Sequence, residues 1–151
     1  MGDAEFLRQF EDCTLPYEQW THRAHVKVAY LYLRAQPFPA ALARIRAGIL
    51  RFNAAKQVPE GPTSGYNETT TQAFLQLVAA TLEAYGAAIP TPSADEFCNA
   101  HPQLLTKHVL RFFYSPQRHL DPRAKTEFVP PDLAPLPTLA GGIGMTPGSK
   151  P

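Results

Sequence analysis

The chain carries few of the features that announce a function. It has only two cysteines in 151 residues, Cys13 and Cys98, far apart and in no paired motif. That excludes a disulfide framework and a CxxC redox or zinc module, and both thiols are read as reduced and packed. Net charge is nearly absent: 14 Lys and Arg stand against 13 Asp and Glu, a formal balance of +1. No broad field therefore favours nucleic acid or an anionic membrane. No apolar run approaches the roughly 20 residues that a bilayer span requires. Met1-Gly2-Asp3-Ala4-Glu5 is acidic and lacks the basic segment of a secretory signal. Phe6 replaces the Ser or Thr of a myristoylation motif, and Ser149-Lys150-Pro151 is not the peroxisomal address. Asn67-Glu68-Thr69 matches a glycosylation sequon, which without export is a chance match. The expectation is a cytoplasmic protein with no nucleic-acid and no membrane partner. No Gly-rich phosphate loop, nucleophile elbow or HExxH motif occurs, and neither strand alternation nor an internal repeat is visible.

What is present is helical patterning. Hydrophobic residues make up 44% of the chain, enough for a core in one domain. Asp3 is placed to cap a short first helix bearing Phe6, Leu7 and Phe10. Thr21 caps the next helix, which ends before Pro37 and has Arg23, Lys27 and Arg34 on its wet arc. A third helix runs from about Pro39 to Lys56, with Leu42, Ile45, Ile49 and Phe52 as its stripe. Pro59, Gly61, Pro62 and Gly65 punctuate a surface loop. A fourth helix opens at Tyr66-Asn67-Glu68 and stops at Gly86, with Gln72, Gln76 and Glu83 facing water. Beyond it prolines dominate: 11 of the 16 lie at or after Pro90. Ser93, Pro102, Ser115-Pro116 and Asp121-Pro122 start short helices, the one at Pro102 reaching Tyr114. Phe128 to Pro137 must be extended, because residues before proline avoid the helical region. The expected architecture is all-α: a single helical-bundle domain over 1–137 with a proline-rich C-terminal extension, and a disordered tail over 138–151.

Short connections make consecutive helices pack antiparallel. The start of the second helix, the end of the third and the start of the fourth then meet. His22, His25, Asn53, Asn67, Thr70 and Thr71 are polar residues on otherwise apolar faces, and all fall at this end, flanked by Trp20 and Tyr66. Each would cost roughly 1–3 kcal/mol if buried without a partner. They must satisfy one another or hold a water, a metal or a ligand, and two helix N-termini at the same place favour anionic groups.

Three chemistries suit the cluster. His22 and His25, neighbours on one helix face, form with Glu68 a two-His-one-carboxylate set for zinc or iron. Without metal, one histidine acts as general base oriented by Glu68 or Asn53, while Trp20, Asn53, Tyr66 and Asn67 bind substrate. The third reading is a non-catalytic ligand-binding or protein-interaction module. The bland reading of single residues stands beside these: Thr21 and Asn67 as helix caps, Asn53 bonded to a helix end, and His101, His108 and His119 as structural side chains.

Three stretches carry a resemblance: Trp20-Thr21-His22-Arg23-Ala24-His25, Gly65-Tyr66-Asn67-Glu68-Thr69, and Pro131-Asp132-Leu133-Ala134-Pro135-Leu136-Pro137. The chain resembles a family of small, largely uncharacterised helical proteins, from about Phe6 to Pro137. Sequences of that type often read Gly-Tyr-His-Glu-Thr in the second motif, and here Asn67 stands in the histidine's place. The resemblance implies where a site lies and no particular activity.

Overall fold

The computed structural model describes residues 1–140. Seven α-helices follow in order among them: α1 (Asp3–Glu11), α2 (His22–Ala35), α3 (Phe38–Ala55), α4 (Glu68–Tyr85), α5 (Ala94–Ala100), α6 (Pro116–His119) and α7 (Arg123–Thr126). Three 3₁₀ turns join them, Tyr17–Gln19, Pro102–Leu105 and Lys107–Phe112. No strand forms among the described residues, whose one β-bridge joins Gly61 and Ser64. The all-α expectation is met. None of these helices is long and apolar enough to cross a membrane.

Local chemistry sets most helix starts. The Thr21 hydroxyl accepts the Ala24 N–H, Asn67 accepts from Thr70, Ser93 from Glu96 and Ser115 from Arg118. Each cap satisfies an amide that has no partner within its own helix. Asp3 differs from expectation. Gly2 precedes α1, and the Asp3 carboxylate instead accepts the Ala94 N–H at the start of α5, tying two distant helices together. The helix expected from Pro102 to Tyr114 is two 3₁₀ turns. Extended Thr106 interrupts it, and its hydroxyl accepts the His108 N–H.

Helix α2 is the centre. It packs on α3, α4 and α5, while α1 lies on α3 and α7 on α4. Val26, Val28, Ala29, Tyr30 and Tyr32 are buried on several sides of it. Burial of such a side chain contributes about 1.5–3 kcal/mol. The arc expected to be wet is tethered by polar contacts: Arg23 and Lys27 pair with Asp95 of α5 at 3.2 and 3.3 Å, and Arg34, itself exposed, donates to the Tyr30 hydroxyl at 2.7 Å. Gly48 lets α3 approach α1, since a Cβ there would stand 2.8 Å from the Phe10 ring. Buried side chains from Phe6 to Leu139 form one connected core.

The outer face of α4 also departs from expectation. Thr69, Gln76 and Glu83 are seven residues apart and so share one face. The Thr69 hydroxyl donates to the Glu127 carbonyl and accepts the Val129 N–H; Gln76 donates to the Pro137 carbonyl; Glu83 accepts the Ala140 N–H. Gln76 is only 2% exposed where it was expected to face water. The chain from Glu127 onward runs along this face, and its prolines leave few N–H groups to satisfy elsewhere. Leu136 and Leu139 are buried there, so packed chain continues past Pro137 to Ala140. The rest of the expected tail lies outside the described residues.

Candidate functional site

A cleft of about 460 Å³ opens at the end of the bundle where the polar residues were expected to meet. Its walls come from the first half of α2 (His22, His25, Val26, Ala29), the second half of α3 (Ile45, Ile49, Asn53) and the first half of α4 (Thr70, Thr71, Phe74, Leu75, Val78). Trp20, Tyr66 and Asn67 also line it. Eight residues singled out by helical geometry, Trp20, His22, His25, Asn53, Tyr66, Asn67, Thr70 and Thr71, therefore share one cavity, as up-down packing of α2, α3 and α4 requires.

The two histidines are held in opposite tautomers. The Nε2 of His22 lies 2.8 Å from the Leu104 carbonyl, and the Nδ1 of His25 lies 2.8 Å from the Thr21 carbonyl. A carbonyl only accepts, so each of these nitrogens carries the proton. The lone pair is then on Nδ1 of His22 and on Nε2 of His25. Trp20 is sandwiched between His25 at 3.8 Å and Phe10 at 4.7 Å, so both its faces are occupied. His22 meets the Phe74 ring edge-on at 4.7 Å. Burial pushes the pKa of His25 down to about 4, partly opposed by the Thr21 hydrogen bond and reinforced by the charges of His22 and Lys107. Burial lowers His22 as well, against the Leu104 hydrogen bond. Both rings are neutral at pH 7.

Glu68 does not join them. The Arg46 guanidinium grips its carboxylate through Nε at 2.8 Å and a terminal nitrogen at 2.5 Å, and the Tyr66 hydroxyl donates to it at 2.6 Å. Burial pushes the Glu68 carboxyl up, but Arg46 and Tyr66 outweigh it and hold its pKa below the ordinary value. Burial, then the Glu68 carboxylate, raises the Tyr66 hydroxyl. The expected metal set of His22, His25 and Glu68 therefore does not assemble, and the Glu68 carboxylate, expected to orient a histidine, is bonded to Arg46 and Tyr66. Among the described residues no three His, Cys, Asp or Glu side chains form a group able to hold zinc, iron or another ion. The physical reason is that the bidentate Arg46 pair and the Tyr66 hydroxyl already occupy the carboxylate oxygens.

The remaining polar groups divide between structure and cleft. Asn67 spends its side-chain oxygen on the Thr70 N–H at 2.8 Å, so it is a cap as well as a wall. The Thr70 hydroxyl is bonded to Nε2 of His119 in α6 at 2.8 Å, a supporting contact that sequence reasoning did not find. Burial lowers the pKa of that histidine too. Lys107 was also missed, as was the wall formed by Val58, Pro59, Thr63, Ser64 and Gly65. That loop is fastened from outside: the Lys125 ammonium donates to Glu60 at 2.9 Å and to the Gly61 and Ser64 carbonyls at 2.6 and 2.5 Å. Glu60 in turn accepts the Tyr66 N–H. Gly65 has φ +83, a left-handed backbone, with the Glu60 carboxylate filling the space a Cβ would need. The Lys107 position follows from a 3₁₀ turn, for which the sequence carries no periodic signal.

These features define a small all-α protein with a half-apolar cleft at one end of a three-helix core. No family model, no curated protein and no solved structure matches the chain.

Proposed function

We propose that the chain binds a small organic molecule in the cleft between α2, α3 and α4. One observation carries this: at about 460 Å³ the space is of ligand size, with walls that combine aliphatic, aromatic and polar side chains. The Nε2 lone pair of His25 and the Asn53 amide have no hydrogen-bond partner among the described residues, and both residues line the space. The test is binding of a small-molecule fragment library, read by methyl NMR. Shifts at Val26, Ile45, Ile49 and Val78 support the reading, and a library whose hits all fall outside the cleft sinks it.

An enzymatic role is the second reading, favoured by the fixed tautomer of His25. Its Nδ1–H is held by Thr21, so Nε2 is left as a base. No carboxylate lines the cleft to strengthen that base, and a pKa of about 4 makes it a weak one. Ligand binding without turnover is therefore the primary reading. Turnover of any cleft ligand that vanished in His25→Gln while binding persisted would promote the second.

A further inference from the structure

We infer that the molecule taken by the cleft is an apolar monocarboxylate, an organic anion with one negative charge on a hydrophobic body; this rests on the cleft being a small-molecule site. The charges and shape of its walls select this class. Lys107 is the one permanently charged residue that lines the cleft, and no Asp or Glu does. Of the carboxylates nearest in sequence, Glu68 is committed to Arg46 and Tyr66, Glu60 to Lys125 and the Tyr66 N–H, and Glu18 is exposed and lies outside the lining. Lys107 makes no ion pair with any described carboxylate, and its charge is felt by both His22 and His25. A cation is opposed by this arrangement, and an anion is paired by it.

The same walls limit the anion to one charge. Phosphate recognition generally draws on an arginine fork or several donors converging on the group. Arg46, on the helix that forms one wall, is already bidentate to Glu68, and no arginine lines the cleft. Neutral His25 and His22 add no second cation at pH 7, since burial pushes both below their ordinary value. An apolar body is matched by Val26, Ala29, Ile45, Ile49, Phe74 and Val78. Aromatic stacking is not offered by Trp20, whose two faces are covered by Phe10 and His25. Hydrogen-bonding groups for carboxylate oxygens are present at Lys107, Asn53 and Thr71 in the same wall set.

The experiment is calorimetric titration of the full chain with octanoate, 1-octanol and octylamine, which share one body and differ in the head group. The expected order of affinity is octanoate, then octanol, then octylamine. Lys107→Gln weakens octanoate by roughly fivefold, the upper end for an exposed pair, and leaves octanol unchanged. Lys107→Glu reverses the order of octanoate and octylamine. Lys107 is exposed on a 3₁₀ turn, so both variants keep the fold. Octanol binding as tightly as octanoate, or an order unmoved by Lys107→Glu, overturns the carboxylate while leaving the small-molecule cleft standing. If none of the three binds and no other fragment shifts the cleft methyls, the small-molecule reading fails with it.

Discussion

Two polar clusters sit at the same end of this bundle and share the stretch from Tyr66 to Asn67, yet they are built differently. In the first, Arg46, Glu68 and the Tyr66 hydroxyl close on one another with contacts of 2.5–2.8 Å. In the second, His25, Asn53, Thr71 and Lys107 surround open space of about 460 Å³. Burial of polar groups has the same physical cost in both. The closed cluster recovers it internally, so its residues govern stability. The open one keeps polar atoms unspent against apolar walls, so its residues govern binding. Residue type does not separate the two: Glu68 is the more reactive-looking group and is the structural one.

The largest test of this contrast is Glu68→Ala. Removing the carboxylate strands Arg46 and the Tyr66 hydroxyl. Because Arg46 is partly exposed, the loss is about 2–3 kcal/mol, below the full penalty for breaking a buried pair. Urea denaturation checks it, and a loss below 0.5 kcal/mol would erase the distinction between the clusters.

Next is pH. His25 binds its proton less readily when folded, with its pKa lowered from 6.5 to about 4. The unfolded chain therefore takes up a proton that the fold does not, and stability falls as pH drops from about 6.5 towards 4 and then levels. His22 acts in the same direction. Glu68, with its pKa depressed, costs stability only at lower pH, as it is protonated. Thermal unfolding from pH 7 to 4 should show the decline. His25→Gln should make it shallower, with His22, His101 and His119 sustaining the remainder, and an unchanged slope would mean that His25 is not held neutral.

Lys125→Met comes third. It removes the ammonium from the Gly61 and Ser64 carbonyls, which keep only the bridge bonds to each other's N–H, and loosens the loop wall. A stability loss of about 1 kcal/mol is expected, with faster hydrogen exchange confined to residues 58–66. Exchange unchanged in that loop would show that the lysine does not fasten it.

Smallest is Asn53→Ala. Its effect on stability should stay within about 0.5 kcal/mol, because no internal bond is lost, while affinity for a cleft ligand falls. A large stability loss would place Asn53 with the closed cluster instead.

The legible parts of the fold were local or periodic. Thr21, Ser93 and Ser115 are caps because a side-chain oxygen beside a helix start has one obvious amide to accept. The meeting of His22, His25, Asn53 and Thr70 followed from helical spacing and short connections. What could not be read depended on partners far away in the chain. Arg46 reaches Glu68 across a helix boundary 22 residues along the chain. Lys107 arrives on a 3₁₀ turn. Gln76 looked solvent-facing until the chain beyond Glu127 covered it, whereas Glu83 stays exposed while accepting the Ala140 N–H. Each is a tertiary override of a sound local pattern.

The most direct test of the central claim is a methyl and imidazole NMR titration of the full chain with octanoate. The account predicts shifts at Val26, Ile45, Ile49, Val78 and the His25 ring, with Arg46 side-chain signals nearly unmoved. Shifts centred instead on the exposed side chains of Phe112, Leu120 and Leu133, with the cleft silent, would contradict it.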